Sequence, residues 1–192
     1  MKTAVLSTLS IICAAQEYVV EGNPTSTVRV IAYEDLQCSD CAIYRKMLDE
    51  QLLPKYEKSV AFEHREYPLP KHKWARPASI AARYFDRVDT KLGIAFRQYA
   101  MKNQADITAE NFSAKLREFA QANGTDGGKA VAGLADAKLM KAVEEDYQEG
   151  IARGVARTPT VFVNGEPFIE RFTFEEISKS IDAALAATTK SK

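Results

Sequence analysis

Two cysteines separated by two residues offer the most specific chemistry in this sequence. Cys38 and Cys41 enclose Ser39 and Asp40, at the point where a strand pattern gives way to apolar residues at helical spacing. At a helix start, the first cysteine meets the positive end of the helix dipole and free backbone N–H groups, both of which stabilise a thiolate. The sequence therefore predicts a redox dithiol, in which Cys38 attacks and the more buried Cys41 resolves the mixed disulfide.

Two other uses of this cysteine pair stay open. A structural disulfide would close a very short loop and so would remove little chain entropy. A zinc site needs four ligands, and the two histidines, His64 and His72, are not spaced as zinc-finger ligands. We therefore favour the redox dithiol and expect neither a bound metal nor a dissociable cofactor.

Composition and charge argue against several classes of protein. The chain has 192 residues with 26 basic and 26 acidic side chains, so no net charge draws it to nucleic acid or to anionic membranes. An apolar content of 46% and a charged content of 27% are typical of soluble globular proteins. We expect no nucleic-acid partner and no integral membrane protein. The length suits one domain with a sizeable core, or a core that carries an insertion.

Residues 1–15 have the pattern of a secretory signal peptide. Lys2 precedes an apolar stretch at 4–15, which ends in small residues at the positions that signal peptidase inspects. This stretch is too short to span a bilayer, and an ordinary buried N-terminal segment is the alternative. We predict cleavage after Ala15 and a periplasmic or secreted protein. Of the three cysteines, Cys38 and Cys41 would then remain, enough for one disulfide.

The residues before position 73 predict a strand, a helix and a second strand. A short strand at 17–21 comes first, and a strand at 27–33 follows it. A helix is predicted for 38–53, where Pro54 should end it. The next strand is predicted for 60–67. A strand–helix–strand unit implies a parallel strand pair with a right-handed crossover.

The pattern turns helical over residues 73–154 and then returns to strands. Apolar residues at helical spacing, several of them aromatic, recur there in four stripes, which indicate core packing rather than a cofactor site. A strand at 160–163 runs into Asn164-Gly165, a strong hairpin signal. A last helix begins with a capping box at Thr173.

Several motifs in this order resemble those of the DsbA-like branch of the thioredoxin superfamily, in particular its compact bacterial members. The resemblance covers nearly everything from Tyr18 to Leu185. The segments that carry it are Gly22-Asn23-Pro24, Tyr33-Glu34-Asp35-Leu36-Gln37-Cys38-Ser39-Asp40-Cys41, Tyr67-Pro68-Leu69-Pro70-Lys71-His72 and Gly154-Val155-Ala156-Arg157-Thr158-Pro159-Thr160-Val161-Phe162-Val163-Asn164-Gly165.

The resemblance implies an α/β thioredoxin fold, β-α-β followed by β-β-α. Its core would span residues 17–72 and 155–188, with an all-helical insertion at 73–154. It also implies a cis bond between Thr158 and Pro159 beside the dithiol, where the Thr158 backbone would pair with an extended substrate. Without the resemblance, a trans bond at a strand start would be the default.

One departure from the family concerns a buried acid. Family members usually place one six residues before the first cysteine, where it can relay protons to the second, and this chain has Ala32 there. Neighbouring strand residues point to opposite faces, so at most one of Glu34 and Asp35 points the same way as Ala32. We expect both acids to be solvated or to cap a loop. Asp35 joins Ser39 and Asp40 as a candidate for tuning the dithiol.

The second departure is Asp40, because strong oxidants of this family carry a histidine at that position. A carboxylate about 4 Å from Cys38 would oppose its ionisation by roughly 1–4 kcal/mol, against about 0.3–1 kcal/mol from an exposed helix dipole. We therefore expect a less oxidising couple than in histidine-bearing relatives. His72 follows a turn that the family folds near the dithiol; we expect a surface or satisfied histidine rather than a substrate contact.

The sequence thus predicts a protein disulfide oxidoreductase, most simply an oxidase, that acts on unfolded or cysteine-containing proteins outside the cytoplasm. The alternatives are a dedicated reductase and a non-catalytic binding module with the same fold. A redox partner would recycle the dithiol. Dimeric isomerases of the superfamily carry an upstream dimerisation domain, for which the chain between Ala15 and the first core strand is too short, so we expect a monomer.

Overall fold

A five-stranded sheet lies at the centre of residues 18–190, the part of the chain that this computed structural model describes. The predicted signal peptide, residues 1–15, lies outside it. The strands are β1 (Val20–Gly22), β2 (Arg29–Glu34), β3 (Ala61–Glu66), β4 (Thr160–Val163) and β5 (Glu166–Ile169). Across the sheet their order is β1-β3-β2-β4-β5. β2 and β3 run parallel, and the other neighbouring pairs run antiparallel.

Helices connect these strands and cover the sheet. They are α1 (Ser39–Met47), α2 (Leu53–Tyr56), α3 (Ala75–Val88), α4 (Thr90–Lys102), α5 (Phe112–Ala122), α6 (Gly127–Ala132), α7 (Ala137–Ala152) and α8 (Phe174–Lys190). Between β3 and β4 the described chain forms helices and turns without a strand. The predicted order, β-α-β, a helical segment and then β-β-α, is confirmed. The limits of the insertion at residues 73 and 154 stay a prediction.

Helical structure after the dithiol continues past Pro54, so the prediction that Pro54 ends this helix was wrong. α1 passes into a π turn over Leu48–Leu52, and Pro54 lies near the start of α2. The Leu53 N–H donates to the Leu48 carbonyl, five residues back instead of four, so the helix is wider here. A wider turn accommodates a residue that lacks an N–H and whose ring would crowd an ordinary helix.

Alternation along β2 divides its side chains between two apolar clusters. Val30 and Ala32 face the cluster that α1 and α8 complete, with Ile177 of α8 fully buried in it. Tyr33 faces the opposite side of the sheet, where Tyr147 of α7 packs. The sheet is therefore covered on both faces, and the end of β2 is held in a fixed position.

Another apolar cluster joins the helical segment to the dithiol. Phe85, Phe96 and Phe119 contact one another with ring centroids 5.1 to 5.2 Å apart. Cys38 and Cys41 belong to the same cluster. The aromatic stripes therefore act as core, as their spacing predicted, and they form one wall around the dithiol.

Arg97 is the largest fully buried side chain of the described chain, and it binds two carboxylates. Its guanidinium lies 2.6 Å from Glu66 of β3 and 2.7 Å from Asp86 of α3. Gly93, one turn before Arg97 on α4, leaves the space that the Asp86 carboxylate occupies, since a Cβ there would overlap it. The cluster therefore fixes α3 and α4 against the sheet.

We expect Arg97→Met to destabilise the protein by about 3–5 kcal/mol, because Glu66 and Asp86 would lose their buried cation. Urea unfolding followed by circular dichroism measures the loss. Arg87→Met is the control, since the Arg87–Asp136 pair is largely exposed and such pairs contribute about 0–1 kcal/mol. Equal losses in the two variants would contradict the role assigned to Arg97.

Candidate active site at the start of α1

The dithiol lies where β2 ends and α1 begins. Cys38 is the N-cap residue of α1; its N–H donates to the Asp35 carbonyl at 3.0 Å, and its carbonyl accepts the Ala42 N–H. Gln104, from the helical segment, donates to the carbonyls of Leu36 and Cys38 at 2.9 Å. These bonds fix Cys38 at the first turn of α1, where backbone N–H groups are free to stabilise an anion.

Cys38 is a thiol with a low pKa. Its Sγ lies 3.3 Å from the Thr158 carbonyl oxygen, and 9% of the residue is exposed. The hydrogen bond from the Cys41 thiol is the main cause that lowers the pKa of Cys38 to about 6, while burial acts in the opposite sense. Hydrogen bonds from the N–H groups of Cys41 and Asp40 lower the pKa further. The thiolate is therefore the main form of Cys38 at neutral pH.

Cys41 has the opposite properties. It is fully buried, and its sulfur accepts the Asp35 backbone N–H at 3.4 Å. Burial raises the pKa of Cys41 well above its ordinary value, and the hydrogen bond to Cys38 and the charges of Cys38 and Glu34 raise it further. At neutral pH, the site thus combines one thiolate with one neutral thiol.

The turn before β4 completes the surroundings of Cys38. The Thr158–Pro159 peptide bond is cis, as the family resemblance implied. The Thr160 hydroxyl donates to the Arg157 carbonyl at 2.7 Å, which closes the turn, and Thr158 itself is buried. Thr158, and with it Pro159, therefore lies beside Cys38.

Cys38 borders a surface cleft of about 730 Å³. The dithiol turn, the turn after β3 and the turn before β4 form its walls; His72 belongs to the second of these and Arg157 to the third. The Arg157 guanidinium pairs with Glu170, which lines the same cleft, at 2.8 Å. The cleft is therefore open to solvent, polar at its rim and large enough to admit part of a polypeptide.

The two residues between the cysteines both line this cleft. Ser39 is exposed, and the Asp40 carboxylate lies 3.5 Å from the Arg171 guanidinium, which offsets part of its charge. The backbone N–H of Asp40 lowers the pKa of Cys38. Asp40 thus acts on Cys38 through its backbone N–H, and the opposing effect expected of its carboxylate stays a prediction.

Glu34 is buried on the same face of β2 as Ala32, so the prediction of a solvated or loop-capping acid was wrong for this residue. One of its carboxylate oxygens lies 2.7 Å from Nδ1 of His64, and Nε2 of His64 lies 2.8 Å from Glu21. Burial lowers the pKa of His64, but the two carboxylates raise it more strongly, to about 9. The cationic His64 therefore compensates the buried acids, and Glu34 still raises the pKa of Cys41.

Asp35 is also buried, yet it caps a turn, as one part of the prediction stated. Its carboxylate accepts the N–H groups of Gln37 and Leu69, each at 2.7 Å. The same carboxylate lies 2.8 Å from Nδ1 of His72. Nδ1 of His72 is thus paired with Asp35, and His72 lines the cleft beside Cys38.

His64 and Glu21 are parts of this site that were not predicted from the sequence. The signal was a histidine within a strand pattern, but its importance depends on strand register, which places His64 opposite Ala32. Within residues 18–190, no three His, Cys, Asp or Glu side chains are arranged to hold a metal ion. No helix in the same range is long and apolar enough to cross a membrane.

Solved structures share this fold at low sequence identity. BdbD from Bacillus subtilis is 19% identical, with a TM-score of 0.78 over 88% of this chain and 93% of its own. The thiol-disulfide exchange protein alpha-DsbA2 from Wolbachia pipientis is 17% identical, with a TM-score of 0.75 over 87% of either chain. Alpha-DsbA1 from the same organism is 17% identical, with a TM-score of 0.79 over 91% of this chain and 94% of its own.

A family model covers most of the sequence. The model described as thioredoxin matches residues 14–183, which include the dithiol, the helical segment and the turn before β4. No curated protein sequence matches the chain significantly. The chain therefore belongs to the thioredoxin family and has the fold of its DsbA-like members.

Proposed function

We propose that this protein is a thiol–disulfide oxidoreductase that acts on other proteins, with Cys38 attacking and Cys41 resolving. The contrast between the two thiols carries the proposal: the pKa of Cys38 is lowered to about 6, and that of Cys41 is raised well above its ordinary value. Disulfide exchange needs one reactive thiolate and a second, protonated thiol that later resolves the mixed disulfide. A purely structural disulfide needs no such contrast.

In the oxidising direction, the reaction starts from the disulfide form of the protein. A substrate thiolate attacks the Cys38 sulfur, the Cys38–Cys41 bond breaks, and its electron pair passes to Cys41, which takes up a proton. A second substrate thiolate then attacks the mixed disulfide and displaces Cys38. The low pKa of Cys38 makes it a good leaving group. Two electrons thus reach the protein, and a redox partner has to remove them.

The cleft beside Cys38 supports a polypeptide as the substrate. Thr158 lies against the Cys38 sulfur and lines the cleft, and Pro159 follows it directly. An extended peptide that runs along the Thr158 backbone would bring its own cysteine to Cys38. The relative that is described as a thiol-disulfide exchange protein supports the same chemistry.

The pKa of Cys38 favours a moderately oxidising couple. The corresponding pKa is about 7 in thioredoxin and about 3.5 in DsbA, whose reduction potentials are about −270 and −120 mV. A pKa of about 6 lies between these two. The value is closer to that of thioredoxin, so our proposal of disulfide oxidation as the main role rests on the predicted export to an oxidising compartment. A dedicated reductase is the second candidate, and a potential close to that of thioredoxin would identify it.

We also propose that the protein works outside the cytoplasm. The support is in the sequence: an apolar stretch behind Lys2 ends at a predicted cleavage site after Ala15, and removal of this segment leaves Cys38 and Cys41. An oxidising compartment is where a disulfide donor of this kind can be kept in its oxidised form.

The first expectation concerns the reactivity of Cys38. With the reduced protein, the rate of alkylation by iodoacetamide should rise with pH, reach half its maximum at about pH 6 and then level off, because only the thiolate reacts. Cys38→Ser should abolish this reaction, since Cys41 is buried and protonated. A midpoint near 8.5, the ordinary cysteine value, would contradict the proposed function.

The second expectation concerns the intermediate. Cys41→Ser lacks the resolving thiol, so the variant should accumulate mixed disulfides between Cys38 and substrate proteins. Non-reducing electrophoresis and mass spectrometry after incubation with a scrambled disulfide protein would detect them. Cys38→Ser is the control and should accumulate none. If Cys41→Ser formed no mixed disulfide with any protein substrate, the assignment of the two cysteines would be wrong.

The third expectation concerns Asp40. Asp40→Asn should lower the pKa of Cys38 by up to about 0.7, because a unit charge nearby costs roughly 1 kcal/mol in a water-like environment. Arg171→Gln should act in the opposite sense, since it exposes the Asp40 charge. Alkylation gives the pKa, and equilibration with glutathione gives the reduction potential, which should become more oxidising in Asp40→Asn. Unchanged values in both variants would show that Asp40 does not tune the dithiol.

A further inference from the structure

We propose that His72 is a catalytic base for the exchange reaction. Asp35 holds the His72 ring so that its free nitrogen can take the proton of the attacking substrate thiol. This inference rests on the proposed function and adds a residue to it. Two structural observations support it, the Asp35–His72 contact and the position of His72 in the cleft. The chemical reason is that a substrate thiol has to ionise before it attacks.

Asp35 determines which nitrogen of His72 carries a proton. Its carboxylate is fully buried and already accepts the backbone N–H groups of Gln37 and Leu69, as only an acceptor can. Nδ1 of His72, 2.8 Å from the same carboxylate, is therefore the donor of that hydrogen bond. In a neutral ring, Nε2 then has a free lone pair. This is the tautomer that a base of this kind needs.

The surroundings of His72 leave Nε2 available to a substrate. The side chain is 19% exposed, and Nε2 makes no hydrogen bond within the described chain. Lys71 and the Cys38 thiol face the same cleft. Its other charged groups are paired: Arg157 with Glu170, and Asp40 with Arg171. His72 is thus the one imidazole among the cleft residues, because His64 is enclosed by Glu21 and Glu34.

A substrate thiol needs such a base at neutral pH. With an ordinary pKa of about 8.5, only about 3% of the thiol is ionised at pH 7, and only the thiolate attacks a disulfide. Cys38 cannot take this proton, because its sulfur is bonded to Cys41 or to the substrate when the attack occurs. Deprotonation by His72 could therefore accelerate the attack by up to about 30-fold.

The proton and the electrons balance in each attack. Nε2 of His72 takes the proton of the first substrate thiol, the substrate sulfur bonds to Cys38, and the electron pair of the broken bond passes to Cys41, which is protonated from solvent. His72 releases its proton to solvent and then takes that of the second substrate thiol. The two substrate sulfurs bond to each other, and Cys38 leaves as a thiolate. The substrate loses two electrons and the protein gains them.

The decisive experiment compares the wild-type protein with His72→Gln. Stopped-flow measurements follow the oxidation of a peptide dithiol by the disulfide form between pH 5 and 9. At pH 7 the variant should react about 10- to 30-fold more slowly, and its rate should rise tenfold per pH unit. Near pH 9 the two proteins should converge, since the substrate thiol then ionises without help. A structural defect would instead lower the rate at every pH.

Two controls separate His72 from its surroundings. A variant of the peptide in which selenocysteine replaces the attacking cysteine carries a selenol, which is ionised at pH 7 and is a strong reductant, and His72→Gln should oxidise it at the wild-type rate. Lys73→Gln removes a charge from an exposed neighbour that does not line the cleft, and it should behave as the wild type with both substrates. The reduction potential and the Cys38 pKa of His72→Gln should be unchanged.

The outcomes for His72 and for the proposed function are distinct. If the wild-type protein oxidises the peptide and His72→Gln matches it across the pH range, His72 is not the base. A rate loss that is constant with pH, or that persists with the selenol peptide, would also overturn the inference. If the wild-type protein oxidises neither substrate, the oxidase function itself fails.

Discussion

The hydrogen bonds of Asp35 hold the dithiol in place. Its backbone N–H reaches the Cys41 sulfur, its carbonyl accepts the Cys38 N–H, and its buried carboxylate binds the turn after β3 through Leu69 and His72. A buried carboxylate is stable only when its oxygens are satisfied. One residue therefore fixes both cysteines relative to the cleft wall, and any movement of that wall would break the bonds of its buried carboxylate to Leu69 and His72.

The two thiols differ in pKa because they have different polar neighbours. Both cysteines lie in one apolar cluster, so burial opposes ionisation in each. Cys38, at the open end of α1, gains hydrogen bonds from the Cys41 thiol and from backbone N–H groups, and these outweigh the cost of burial. Cys41 is enclosed by the helical segment and lies near the anionic Glu34. The inserted helices thus act on the chemistry by keeping water away from one sulfur.

The sequence predicted what depends on local pattern and missed what depends on distant partners. Strand and helix periodicity identified the order of elements, and the dithiol followed from its spacing at a strand-to-helix junction. Pro54 misled the prediction, because a π turn removes the clash that ends most helices at proline. The sequence predicted a solvated or loop-capping Glu34, because its partner His64 lies 30 residues away on a neighbouring strand and no local pattern connects the two. The loop-capping role predicted for Asp35 is local and was correct, whereas its contact with His72 is not.

The position of Glu34 explains how this chain can carry Ala32 at the position where the family resemblance implies an acid. Side chains two residues apart in a strand share a face, so an acid at position 34 stays on the side of the sheet that α1 covers. His64 lies opposite Ala32 in the parallel pair, and the small alanine leaves room for the imidazole there. The ring then bonds Glu34 on one side and Glu21 on the other. The buried Glu34 is therefore paired with the cationic His64, and this pairing limits how strongly the charge of Glu34 can act on Cys41.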